Sequence, residues 1–186
     1  NGKETGVTGE DMSRVTSIDI SLLDPRIQDT DILTACDVSN PFYGPTGAAY
    51  IYGPQKGATE KQVISLDNGL RNLAGVIEKS LGKTIANIPG TGAAGGLGGG
   101  LIAFFNAKLQ SGIELILEAV DFEKTLNNAQ LVITGEGKTD YQTAFGKVPA
   151  GVASAAKKQG IPVVCFSGAL GKKIEELYSV GITALF

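Results

Sequence analysis

The sequence predicts an α/β fold with parallel sheets, and three observations carry that expectation. After residue 128, apolar runs and helical patterns alternate: a strand over 131–134, a glycine-rich loop, a helix over 149–159, a strand over 163–167, a helix over 172–179 and a strand over 182–186. That rhythm is what a parallel sheet with covering helices requires. Before it, an apolar run over 31–38 ends on a carboxylate, and a long amphipathic helix follows. Glycine supplies 26 of the 186 residues, about twice its ordinary share, gathered in loops and one cluster rather than a collagen-like period. The change of rhythm puts a domain boundary near Asn128, giving segments 1–128 and 129–186.

Residues 15–20 read as a short strand, broken by Asp24-Pro25. Residues 31–38 read as a largely buried strand ending at Asp37, with Asn40-Pro41 making the turn. Residues 42–58 are punctuated by Gly44, Pro45, Gly47, Gly53, Pro54 and Gly57, and read as loop with one helical turn over 48–52. Thr59 opens the clearest helix. Thr59 and Gln62 have capping-box spacing, Val63, Leu66, Leu70, Leu73, Ile77 and Leu81 recur at helical intervals, and Gly82 ends it. Residues 84–88 read as a short strand, and the glycine cluster over 89–100 leads into a helical pattern through Gln110. Residues 113–120 resemble a strand, and residues 122–128 a helix packed through Phe122 and Leu126.

Hydrophobic residues at 42%, charged residues at 19% and a mean hydropathy of +0.10 describe a folded chain. Sixteen basic against nineteen acidic residues give a net charge of -3, with no basic run to track a phosphate backbone, so nucleic acid is not an expected partner. Histidine is absent, which removes imidazole nucleophile systems, imidazole acid–base catalysis and His-ligated metal sites. Cys36 and Cys165 each sit in an apolar run, the setting of a reduced thiol in a cytoplasmic protein. No basic segment followed by an apolar one suggests a signal peptide, and the longest uncharged stretch, between Lys83 and Lys108, holds Asn87, Pro89 and a glycine series instead of a membrane span. Both ends read as cut, the second within a strand-like run.

Four segments offer chemistry. In Ala35-Cys36-Asp37-Val38-Ser39-Asn40-Pro41, Asp37 stands at a strand end, where it could bind Mg²⁺ or accept a proton; the plainer reading is that Asp37 and Asn40 cap a turn. In Gly53-Pro54-Gln55-Lys56-Gly57-Ala58, Lys56 precedes a helix N-terminus and can reach an anion, or is a solvated turn lysine. Gly90-Thr91-Gly92-Ala93-Ala94-Gly95 satisfies G-x-G-x-x-G and continues through Gly96, Gly98 and Gly100. Its context is poor for a dinucleotide-binding oxidoreductase, so the choice lies between an anion cradle and close packing through glycines. The segment from Leu131 to Thr143, with Gly146-Lys147, delivers Glu136, Lys138, Asp140 and Lys147 into one loop. It lacks the first glycine of a P-loop, yet groups metal-binding, acid–base and phosphate-pairing side chains. An ion-paired surface loop is the alternative.

Together, ACDVSNPFYGPTGAAYIYGPQKGA, IPGTGAAGGLGGGL, LVITGEGKTDYQTAFGKVPAGVA and IPVVCFSG resemble, in order and spacing, the type 1 glycerate kinase family. Phe42 stands where that family often has Leu, and Lys138-Thr139 replaces a common Arg-Leu pair. The resemblance covers the middle half of such proteins. It implies a three-layer Rossmann-like parallel-sheet portion over 129–186 and part of a second, inserted α/β domain over 1–128. It also implies ATP-dependent phosphorylation of glycerate with Mg²⁺. Asp37, Asp140 and Lys56 would then be catalytic. Asn40, Gln55, Gly92, Gly95, Gly96, Gly98, Gly135, Gln142, Thr143 and Lys147 would hold substrate or phosphate, and Asp140 and Glu136 would bind metal. The first strand and last helices of the family lie outside this stretch, which leaves a non-catalytic module binding a hydroxy acid or nucleotide as the competing expectation. A homo-oligomer is compatible with either.

Overall fold

The structure is a computed structural model and describes residues 4–6, 8–144 and 146–186. Its contacts cluster into two units, Asn1–Gln110 and Ser111–Phe186. The expected change of rhythm lay at 128; the contacts change earlier because residues 111–128 pack into the second unit. Ile113 lies against Gly151, and Leu126, Leu117 and Phe122 join the core of Val163, Cys165 and Leu177.

In the first unit, two short strands pair in parallel, β1 (Leu33–Ala35) with β2 (Lys108–Gln110), in the register Leu33↔Lys108. Helix α1 (Ala48–Tyr52) is followed by a 3-10 turn, Pro54–Lys56, and then by the long helix α2 (Glu60–Leu81). Thr59 and Gln62 form the expected capping box at the start of α2, and Gly82 closes it in a left-handed conformation. Its apolar stripe, Val63, Leu70, Ala74 and Ile77, packs with Phe42, Ile85 and Ala103 into one core. Helix α3 (Ala93–Phe105) carries the glycine cluster.

In the second unit, α4 (Gly112–Ala119) and α5 (Phe122–Thr125) precede β3 (Val132–Glu136), α6 (Val148–Lys158), β4 (Val163–Ser167), α7 (Glu176–Val180) and β5 (Ala184–Leu185). The sheet order is β3-β4-β5 and every pairing is parallel, the Rossmann-like portion the sequence predicts. Ala153, Ala155 and Ala156 of α6 and Leu177 of α7 bury the inward residues Val163 and Cys165. The other face presents Ile133, Phe166 and Phe186, with the two phenyl rings stacked 5.6 Å apart.

Several expectations are corrected. The segment 113–120 is not a strand, because its residues through Ala119 belong to helix α4: Ile113 and Leu117 fall on one side while Ile116 is exposed. Residues 15–20 and 84–88 are loop; neither pairs with another strand, and Ile85 serves as a buried anchor of the first core. The helical pattern of α3 stops at Phe105, where Asn106 turns left-handed, so Lys108–Gln110 is a strand. Helix α7 is shorter than the 172–179 expected, and the last strand is confined to Ala184–Leu185.

Candidate active-site residues

Each unit presents its own cluster. In the first, the strand expected to run largely buried to Asp37 is confined to Leu33–Ala35, with Leu33 half exposed, so Asp37 lies two residues beyond it, exposed in the following loop. Asn40 is part of the scaffold. Its Nδ2 donates to the Thr46 carbonyl at 2.9 Å, its Oδ1 accepts the Tyr52 hydroxyl at 2.8 Å, and its carbonyl accepts the Gly92 amide at 2.9 Å. These bonds tie Asn40 to the loop before α1 and to α1 itself. Burial pushes the Tyr52 phenol above its ordinary pKa, and nearby Cys36 adds to the shift.

A groove of about 580 Å³ runs beside α1 and the start of α2, and its walls include Tyr52, Lys56, Gln62, Ser65 and Gly95. It therefore brings together two of the predicted residues, Lys56 and Gly95. Gln55 shares the 3-10 turn with Lys56 but is exposed away from these walls. The glycine cluster divides its labour. Ala94, Gly95 and Gly96 are left-handed in succession, with φ of 50°, 75° and 104°, a break inside α3 that only a glycine-rich segment adopts readily. Gly92, Gly96, Gly98 and Gly99 serve close packing: a Cβ at Gly92 would meet the Pro41 carbonyl at 2.2 Å, at Gly98 the Gly90 carbonyl at 2.3 Å, and at Gly99 the Phe42 ring at 2.6 Å. The Gly92 and Gly96 amides already donate within the chain, to Asn40 and Gly92 carbonyls.

In the second unit the loops after β3 and β4 run side by side. The Thr139 amide donates to Ala169 at 3.0 Å, the Gly171 amide donates to Thr139 at 2.7 Å, and Thr139 and Leu170 form a parallel bridge. Gly135, within β3, lies so close to β4 that a Cβ would meet the Phe166 carbonyl at 2.7 Å. Asp140 follows, its side chain 18% exposed, with Lys138 Nζ at 3.7 Å from one carboxylate oxygen and Lys147 Nζ at 3.9 Å from the other. Those separations are ion pairs without hydrogen bonds, and both lysines are more than a third exposed, so an incoming anion can recruit them. Lys147 is also the N-cap of α6, where the helix dipole favours negative charge. Glu136 Oε1 accepts the hydroxyls of Thr139 at 2.8 Å and Thr143 at 2.6 Å. The side chain of Gln142 lies outside the described residues; its backbone belongs to the 3-10 turn Tyr141–Ala144.

Among the described residues no three His, Cys, Asp or Glu side chains converge as metal ligands. A single hard carboxylate such as Asp140 still suits Mg²⁺, which is commonly held by one or two carboxylates together with substrate phosphates and water. Sequence reasoning missed Thr139 and Ser167; the signal for Ser167 was its place at the end of β4, opposite Glu136 in a parallel register.

The model of the glycerate kinase family matches residues 1–186, the whole chain. The chain belongs to the glycerate kinase family. It is 50% identical to a glycerate kinase of Halalkalibacterium halodurans and 47% identical to a glycerate 2-kinase of Escherichia coli K12, in each case over all of this chain and 49% of the relative. It superposes with a TM-score of 0.85, at 42% identity, on the crystal structure of a Salmonella typhimurium LT2 protein assigned as a glycerate kinase 2, covering 100% of this chain and 48% of that one. The chain thus spans about half the length of the curated glycerate kinases it matches. The family match runs through both units, so both clusters of candidate residues lie within the glycerate kinase region.

Proposed function

We propose that the full-length protein carrying this chain is a cytoplasmic kinase that phosphorylates a hydroxyl of glycerate with ATP and Mg²⁺. The observation that carries the reading is Asp140 set between Lys138 and Lys147 at the end of parallel strands, in a chain of this family. Phosphoryl transfer asks the protein mainly for positioning and charge neutralisation, and a carboxylate flanked by two recruitable cations supplies both. Lys138, Lys147 and the start of α6 attract the phosphates. Asp140 is the carboxylate that would hold Mg²⁺, which supplies neutralisation of phosphate charge when bound. Lys56, on the wall of the groove in the first unit, pairs with the carboxylate of glycerate, with Gly95 beside it. Asp37, the exposed carboxylate beyond β1, is the first unit's candidate proton acceptor.

Replacing Asp140 by Asn in the full-length protein is expected to lower kcat by about two orders of magnitude or more and to raise the Mg²⁺ needed for half-maximal rate. Replacing Asp37 by Asn is expected to lower kcat with the Mg²⁺ requirement unchanged. Glycerate-dependent ADP release is the readout. Near-normal turnover in Asp140→Asn removes it from the machinery, and glycerate or nucleotide binding without any ADP release favours the non-catalytic binding module.

A further inference from the structure

Glu136, Thr139, Thr143 and Ser167 form one chain of hydrogen bonds whose direction is fixed by valence. The Asp140 amide donates to Thr143 Oγ1 at 3.2 Å, so the single hydroxyl proton of Thr143 goes to Glu136 Oε1 at 2.6 Å. Thr139 spends its own proton on the same oxygen at 2.8 Å, so its 2.5 Å contact with Ser167 Oγ has Ser167 as donor. Both threonines are 0% exposed, where a hydroxyl left unpaired is costly, and Glu136 Oε1 with two donors has both lone pairs occupied. The backbone of the loop is tied to the same points: the Thr143 amide donates to the Asp140 carbonyl at 2.9 Å, and Gly171 approaches the Asp140 Cβ so closely that a side chain there would stand 2.7 Å away.

From this arrangement we infer that Glu136 is a positioning residue, with Thr139, Thr143 and Ser167 as its arms, and that its work is to hold Asp140 in place between Lys138 and Lys147. One carboxylate at the end of β3 fastens the following loop at two points and reaches the end of β4 through Thr139. Its Oε1 therefore serves the loop and not a metal ion. The inference rests on the kinase reading for its effect on turnover, but not for its effect on the loop.

The test uses the full-length protein with Thr143→Val, Thr143→Ser, Ser167→Ala and Glu136→Gln, reading steady-state kinetics and amide hydrogen exchange. Thr143→Val keeps the shape and loses the hydroxyl; it is expected to speed exchange at Asp140 about tenfold and to lower kcat about tenfold with the KM for glycerate nearly unchanged. Exchange at Val163 and Ala156, in the core beneath, is expected to stay at the wild-type rate. Thr143→Ser, which restores the hydroxyl, should recover both quantities, and Ser167→Ala, at the far end of the chain of bonds, should show the same pattern more weakly. Wild-type exchange at Asp140 in both Thr143→Val and Ser167→Ala overturns the inference, as does faster exchange with undiminished kcat. If the wild-type protein releases no ADP with glycerate, the kinase reading fails and exchange alone decides the positioning role. If Thr143→Val does not fold, Ser167→Ala and Glu136→Gln decide between the same outcomes.

Discussion

Asp67 shows how much a single side chain can organise. Its side chain on α2 is 7% exposed; Oδ1 accepts the Gly44 amide at 2.6 Å and Oδ2 pairs with Arg71 at 3.3 Å, whose guanidinium lies 4.3 Å above the Tyr43 ring. The loop that leads from Asn40 to α1 is thereby fastened to the middle of a long helix. Replacing Asp67 by Ala leaves the Gly44 amide buried without an acceptor and is expected to destabilise the fold by about 2 kcal/mol, read from denaturant midpoints; Asp67→Asn keeps an acceptor and should cost less. Tyr52 gives a pH signature. Its folded pKa lies above the unfolded value, so the neutral phenol contributes stability that is complete below about pH 10 and is lost as the pH rises through the folded value. The absorbance titration at alkaline pH is expected to lose a late component in Tyr52→Phe. Neither role was legible in the sequence. Asp67 stands four residues after Val63 and three before Leu70, at the edge of the apolar stripe of α2, and its partner, the Gly44 amide, comes from a distant loop that no local pattern indicates. Asp37, Lys56 and Asp140 could be singled out as candidates because strand ends and glycine loops are marked in the sequence by their own turn residues.

At the level of elements, the sequence was informative where local chemistry and packing agree. Helix α2 announces both of its ends, through Thr59 with Gln62 and through Gly82. Segment 113–120 failed for the opposite reason: Ile113, Leu115, Ile116 and Leu117 fit a short buried strand as well as a helix face, and the packing of Ile113 on Gly151 decides for the helix. The glycine cluster was read as cradle or close packing, and the structure uses it largely for packing, with Gly95 alone of its glycines on the groove wall. Two neighbours in α3 separate the effects of space and propensity. A Cβ at Gly100 meets nothing within 4 Å, so Gly100→Ala is expected to stabilise by about 0.5–1 kcal/mol. At Gly99 it would stand 2.6 Å from the buried Phe42 ring, so Gly99→Ala is expected to destabilise by about 1–3 kcal/mol; thermal melts of the pair carry opposite signs.

At the scale of the whole molecule, the described residues form two cores, one around Phe42, Leu70 and Ile77 and one around Val163, Cys165 and Leu177. Leu177 is completely buried, so Leu177→Ala is expected to cost about 2–5 kcal/mol. Hydrogen exchange should rise through β3, β4 and α6 while the amides of α2 keep their protection; equal loss in both units would mean that they unfold together. The alternation after residue 128 made the parallel sheet legible, whereas the unit boundary was hidden because a helix read as a strand looks like the end of the preceding unit. The side-by-side course of residues 137–139 and 168–170 has a consequence for descent as well as for chemistry. The Thr139–Leu170 bridge and the amide bonds around it extend the register of β3 and β4 past the strands themselves, and Gly137 and Gly168 meet with no room for a side chain at Gly168. An insertion or deletion in either segment would slide one against the other and carry Asp140 with it. In related chains the length of these two segments should hold steady, or change in both at once, while neighbouring surface loops vary freely.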